Sequence, residues 1–114
     1  MLDVRASARY IPVSPHKVRR VVNLVRGKNV SEALALLRFL PHRAARPVYK
    51  VVASAVANAE ENFGLHRDDL YIHRIFVDEG PRWKRYRFAA RGRAKPYRHR
   101  LSHITVILRE RELA

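Results

Sequence analysis

Leu2, Val4, Ala6, Ala8 and Tyr10 alternate with Asp3, Arg5, Ser7 and Arg9. A period of two predicts a half-buried strand with a polar, partly basic outer face, which Pro12 ends. The period then lengthens. Val18, Val21, Val22 and Val25 fall at i, i+3, i+4 and i+7, one apolar face of a helix. Ser14 stands at its N-cap, Pro15 at its first position, and Gly27 at its C′ position. A second, short helix is expected from Ser31 as cap, with Leu34, Leu37 and Leu40 inward and Pro41 closing it. The third helix is the longest. Val48, Val51, Val52, Ala55 and Ala59 mark its buried stripe, Pro47 falls in its first turn, and Gly64 marks its end. Its run of Ala53, Ala55, Ala57 and Ala59 permits close approach of another element.

Asp68-Asp69 fall in a loop. Leu70–Val77 and Ile104–Leu108 are apolar and β-branched enough for strands, and Asp78-Glu79-Gly80-Pro81 reads as a turn or change of direction. The order of elements predicts an α+β fold: a small antiparallel three-stranded sheet packed on three helices. A length of 114 residues fits one domain. Its expected parts are a body of residues 1–80 and 102–114 and an extended arm of residues 81–101.

Charge changes the picture at the arm. From Arg82 to Arg100 the chain reads RWKRYRFAARGRAKPYRHR, with nine Lys or Arg among nineteen residues and no acid. The whole chain carries 24 basic and 10 acidic residues, net +14. Outside the arm the remaining 95 residues hold 15 basic and 10 acidic groups, a net of +5. Such a block cannot enter a core, because buried unpaired charge is too costly. Trp83, Tyr86, Phe88 and Tyr97 interleave with the arginines, so phosphate partners and stacking faces come together. Some 26 residues separate Val77 from Ile104, whereas structureless loops beyond ~12–15 residues are uncommon in compact domains. A two-stranded ribbon continuing the flanking strands accounts for them, with Gly92 near its tip and legs of ~11 residues reaching roughly 35 Å. An isolated ribbon is marginal in water, which predicts an arm that becomes ordered on its partner.

The first helix adds a second basic surface. His16, Lys17, Arg19, Arg20 and Arg26 occupy its polar face without an acid to pair with, an arrangement suited to phosphate. Arginine outnumbers lysine nineteen to five, which favours bidentate phosphate contact and stacking on bases. Other chemistries have little behind them. The absence of cysteine excludes disulfides and thiolate metal sites and fits a reducing compartment. Among six histidines only His99 and His103 have a ligand-like spacing, and on a strand that spacing separates them by ~13 Å. The acidic pairs Glu60-Glu61, Asp68-Asp69 and Asp78-Glu79 would suit a metal-dependent nuclease only if they converged. No phosphate loop, nucleophile elbow or zinc-protease motif is present. No enzyme, cofactor or metal is therefore expected, and no apolar run reaches the ~20 residues of a membrane span. An architectural nucleic-acid module with a β-ribbon arm satisfies these features in general terms.

Five segments are more specific: SPHKVRRVVNLVRGK at Ser14–Lys28, SAVANAEENFG at Ser54–Gly64, FVDEGP at Phe76–Pro81, ARGRA at Ala90–Ala94 and SHITVIL at Ser102–Leu108. In this order they closely resemble the bacterial large-subunit ribosomal protein of family twenty-two, over nearly the whole chain. The resemblance implies a cytoplasmic, ribosome-bound protein without homo-oligomers, on large-subunit rRNA near the outer end of the polypeptide exit tunnel. It implies early binding during subunit assembly, and a hairpin whose tip lines the tunnel beside ribosomal protein family four and the passing nascent polypeptide. The RNA-binding set is then Ser14, His16, Lys17, Arg19, Arg20, Arg26 and Lys28, the arm residues Arg82, Lys84, Arg85, Arg87, Arg91, Arg93, Lys95, Arg98 and Arg100, and His103. The tunnel-lining set is Trp83, Phe88, Ala89, Ala90, Arg91, Gly92 and Arg93. The chain departs from the family pattern twice. Phe88-Ala89 stands where Pro-Arg is usual, and Trp83 where Met or another aliphatic residue is common.

Overall fold

The computed structural model describes residues 3–80, 83–88, 94–99 and 101–111, with backbone alone for 83–88 and 94–99. Strand β1 (Asp3–Ile11) leads to helices α1 (Pro15–Val25), α2 (Val30–Phe39) and α3 (Ala45–Phe63). A 3₁₀ turn (Arg67–Asp69) precedes β2 (Leu70–Glu79), followed by β3 (Trp83–Phe88), β4 (Ala94–His99) and β5 (Ser102–Glu110). The body sheet has the order β1-β5-β2, antiparallel throughout, so the most apolar strand takes the centre. This is the expected α+β fold.

The helices cover one face of the sheet. Val4 from β1, Leu70, Ile72, Ile75 and Val77 from β2, and Ile104, Val106 and Leu108 from β5 are buried there. Full burial of each large side chain contributes about 1.5–3 kcal/mol. Ile72 and Ile75 are three apart yet share this face because β2 carries a bulge between Ile72 and Arg74 that resets the alternation. Helix α3 is the hub, touching β1, β5, α1 and α2. Its Ala45, Ala55 and Ala59 are buried and small, so the backbone can approach the sheet closely. Gly64 ends α3 at φ +63°, the left-handed conformation that costs glycine little.

Several local expectations need correction. Tyr10 does not continue the inward set: it sits in a bulge at φ +58° and is 54% exposed. The bulge places Ile11, rather than Tyr10, opposite Ser102. Asn29, not Ser31, is the N-cap of α2. The chain after α1 pairs with β2, Ile72 N–H to Lys28 O at 2.9 Å and an Asn29–Tyr71 bridge, so the helix starts directly after the bridge, earlier than expected, and buries Val30. Its buried stripe is Val30, Ala33 and Leu37, while Leu34 and Leu40 are only half-buried. Asp78 and Glu79 belong to β2 and pair with His103 and Ser102. Leu2 lies outside the described residues.

The arm forms a sheet of its own, β3 against β4, from Trp83↔His99 to Phe88↔Ala94. The body ladder stops at Glu79↔Ser102. Three residues therefore link the ladders on the outgoing side and two on the return, a one-residue offset that makes the ribbon a separate ladder instead of an unbroken continuation. The molecule measures 68 × 25 × 20 Å. A nine-residue strand spans only ~30 Å, so the body sheet accounts for less than half of the long axis.

Candidate nucleic-acid interface

Helix α1 lies along β2 with its N-terminal end toward Val77 and its C-terminal end toward Ile72. Two of its basic residues tie it there. Arg19 donates from Nη2 to the carbonyl of Val77 at 3.1 Å. Arg26 donates from Nη2 to the carbonyl of Ile75 at 2.8 Å and from Nη1 to Asn23 Oδ1 at 2.7 Å. These carbonyls are on the outer edge of β2, away from β5. Toward the distal end the same edge is covered by Gly27–Asn29. The arginines thus close an edge strand that would otherwise present bare carbonyls, and part of their donor capacity is engaged.

The other candidates on α1 differ. His16, Lys17 and Arg20 are exposed, and among the described residues their side chains have no hydrogen-bond or ion-pair partner. Ser14 is the N-cap, with no side-chain bond to the helix. Lys28 lies beyond the far end of α1, and its Nζ is 3.4 Å from Glu32 Oε1. Lys28 therefore does not join Lys17 and Arg20 in one cluster.

Ser14, Lys17 and Arg20 form one wall of a groove of about 640 Å³. The facing wall is the α2–α3 linker, Pro41–Ala44, with His42 and Arg43. Pro12, Val13, Val21 and Leu24 supply its apolar lining. A second, smaller hollow shares Pro12, Val13 and Arg43 and adds Arg46 and Lys50 from the start of α3. Sequence reading missed His42, Arg43, Arg46 and Lys50. The available signal was compositional: no acid occurs between Glu32 and Glu60.

Topology sorts the charges into two poles. The beginnings of α1 and α3 meet the sheet at the end where β2 and β5 lead into the arm; Ser102 Oγ donates to Val13 O there at 2.5 Å. That pole carries Lys17, Arg20, Arg43, Arg46 and Lys50. The opposite pole gathers Asp3, Glu60, Glu61, Asp68, Asp69 and Glu110, and its arginines are paired. Arg67 meets Glu60 at 3.0 Å, and Arg109 meets Asp3. The Arg109 hydrogen bond holds the exposed Asp3 carboxyl below the usual aspartate range. Arg111 donates to Asn29 Oδ1 and lies 4.8 Å over the Tyr71 ring. Asp78 and Glu79 are the acids at the arm pole.

At the base of the arm the strands approach closely. Gly80 N–H donates to Leu101 O at 2.7 Å. A Cβ on Gly80 would lie 3.0 Å from Leu101 Cβ and 3.3 Å from His103 Cε1. His103 is half-buried there. Its Nδ1 accepts the Tyr10 N–H at 3.1 Å, and the two rings meet edge to face at 5.0 Å. Arg82, Ala89, Ala90, Arg91, Gly92, Arg93 and Arg100 lie outside the described residues. Trp83, Lys84, Arg85, Arg87, Phe88, Lys95 and Arg98 are placed by backbone register alone. The departures at Trp83 and Phe88-Ala89 therefore have no side-chain description.

Among the described residues no group of three or more His, Asp or Glu side chains is arranged to hold a metal ion. Asp68 and Asp69 sit in the 3₁₀ turn, and Asp78-Glu79 at the other end of β2. No described helix is long and apolar enough to cross a membrane.

Residues 6–109 match the sequence profile of the family described as Ribosomal protein L22p/L17e. The "Large ribosomal subunit protein uL22" of Thermoanaerobacter sp. (strain X514) is 53% identical over 111 residues, 97% of this chain and 100% of the relative. Proteins of the same description from Desulfitobacterium hafniense (strain DSM 10664 / DCB-2) and Pelotomaculum thermopropionicum are 54% and 52% identical, each covering 98% of its own length and 98% and 97% of this chain.

Proposed function

The chain belongs to the ribosomal protein L22p/L17e family, and from that premise we propose that it holds large-subunit rRNA segments together through its arm and the pole from which the arm leaves. As a family member it is a structural, non-catalytic constituent of the large subunit of the bacterial cytoplasmic ribosome. The rRNA contacts, the support of early assembly and the lining of the exit tunnel by the arm's tip are the proposed part. The observation that carries them is the charge polarity. Lys17, Arg20, Arg43, Arg46 and Lys50, without a side-chain partner among the described residues, collect where the arm begins, and most of the described acids collect at the far end.

The mechanism is electrostatic and positional. Phosphates are neutralised by the body pole and by Arg82, Lys84, Arg85, Arg87, Lys95, Arg98 and Arg100 along the legs, releasing counterions. Arg19 and Arg26 add charge beside the same surface while fixing α1 to the sheet. Phe88, Ala89, Ala90, Arg91, Gly92 and Arg93 make up the tip segment that faces the nascent polypeptide, next to ribosomal protein family four, whereas Trp83 pairs with His99 at the body end of the ribbon and belongs with the legs. The close strand approach at Gly80 and His103 sets the arm's exit from the body.

Two measurements test this reading. With ~6–10 phosphate contacts, affinity for large-subunit rRNA falls ~10³–10⁵-fold between 50 and 200 mM salt; a flat response refutes the mechanism. Crosslinking from arm positions within assembled subunits should reach rRNA and, at the tip, the nascent chain. Equal affinity for random duplex DNA and for large-subunit rRNA would instead favour a general architectural nucleic-acid module.

A further inference from the structure

We propose that the groove between α1 and the α2–α3 linker holds one unpaired nucleotide of the large-subunit rRNA, its base against Val13 and Leu24 and its phosphates on Lys17 and Arg43. The inference rests on the rRNA-binding reading and deepens it by naming the RNA feature and its seat.

Three observations converge on this groove. Its volume, about 640 Å³, lies within the ~300–1,000 Å³ range of small-ligand sites. Its lining divides into an apolar part, with Leu24 45% exposed, and a basic part of Lys17, Arg20, His42 and Arg43. Those four side chains have no hydrogen-bond or ion-pair partner among the described residues, unlike Arg19 and Arg26, which bond the β2 edge on the other side of α1. An exposed apolar surface ringed by unpartnered cations wants an occupant with a flat apolar part and negative charge on both sides. A nucleotide within a strand has that form, since its base is flanked by two phosphates. Helical RNA keeps its bases stacked inside, and recognition of single bases targets loops and bulges. The occupant is therefore an unpaired base. A protein segment would have to bring several carboxylates into the same small space.

The test uses the full chain in assembled large subunits. p-Azidophenylalanine is placed by Leu24→p-azidophenylalanine in one sample and Trp83→p-azidophenylalanine in another. The Leu24 probe is expected to crosslink to one nucleotide, or two adjacent ones, unpaired in the rRNA secondary structure. That nucleotide should react with base-specific chemical probes in free rRNA, be protected in the complex, and regain reactivity with Leu24→Ser. In purified complexes, Lys17→Glu with Arg43→Glu should weaken rRNA binding by at least ~10-fold, and Leu24→Ser by ~2- to 5-fold through the lost aliphatic contact, with cooperative urea unfolding retained in each variant. If the Leu24 probe reaches only protein, or only base-paired RNA, while the Trp83 probe reaches rRNA, the groove inference is wrong and the rRNA reading stands. If neither probe reaches rRNA, the rRNA reading itself falls.

Discussion

Arg20 and Arg26 lie six residues apart in sequence, on different sides of α1, and the structure gives them different work. Arg26 donates to the Ile75 carbonyl and to Asn23; Arg20 lines the groove without a partner among the described residues. Replacing Arg26 by Met keeps the apolar stem and removes both bonds. A hydrogen bond from a charged donor contributes ~1.5–3 kcal/mol net. Arg26 is exposed, and the freed edge carbonyl can bind water, so Arg26→Met should cost an amount around or below the low end of that range, ~1–2 kcal/mol. In urea that is a midpoint shift of about 0.5–1.5 M at the slopes usual for small domains. Arg20→Met should stay within ~0.5 kcal/mol of the parent. Binding to rRNA should rank the pair in reverse. Loss of one phosphate contact lowers the log–log salt slope by ~0.7–0.9 for Arg20→Met, while Arg26→Met, measured where it is folded, should keep most of its slope. Equal urea midpoints for the two variants would refute the assignment of Arg26 to the β2 edge. An unchanged slope in Arg20→Met would remove that residue from the interface.

Three further outcomes follow from single contacts. Gly80→Ala forces a Cβ to 3.0 Å from Leu101 Cβ; overpacking of ~1–3 kcal/mol, offset by ~0.4–1 kcal/mol of unfolded-state entropy, leaves a net loss of ~0.5–2 kcal/mol in urea unfolding. A stabilised variant would mean the arm base is loose. Ser102→Ala strips the Val13 carbonyl of its buried donor and should cost ~1–2 kcal/mol by denaturant titration; no loss would show that water replaces the hydroxyl. Asp3 titrates below the usual aspartate range because Arg109 hydrogen-bonds its carboxylate. Its stabilising contribution is full above the ordinary aspartate pKa and is lost as pH falls through the lowered one. The margin of the parent over Asp3→Asn in low salt should therefore shrink as pH falls below the ordinary aspartate range, and a margin that does not shrink on acidification would contradict the pairing.

The elements were legible because their patterns are local. The valines of α1 repeat at helical spacing, Ile104–Leu108 is β-branched, and the Ser14-Pro15, Gly27 and Gly64 signals sit at the helix ends. The misses share a cause, since each depends on a partner distant in sequence. Tyr10 leaves the inward set because a bulge opposite His103 inserts a residue into β1. Ser31 loses the cap because Lys28 and Asn29 pair with β2 and draw the helix start to Val30. Ile72 and Ile75 likewise share one face only because the bulge between Ile72 and Arg74 resets the alternation.

For the interface, the sequence by itself determined the total charge, the basic block of the arm, the acid-free face of α1 and, through its motifs, the family. These are sums and short-range patterns, fixed by which residues are present and in what order. Tertiary structure alone decided which cations are available. It turned Arg19 and Arg26 toward β2 carbonyls and paired Arg67 and Arg109 with acids. It carried His42 and Arg43 across from a later segment to face Lys17 and Arg20, and set Arg46 and Lys50 in the adjoining hollow. Electrostatic recognition depends on where charges stand in space and on what already neutralises them. Both follow from the antiparallel sheet and from the direction in which each helix crosses it.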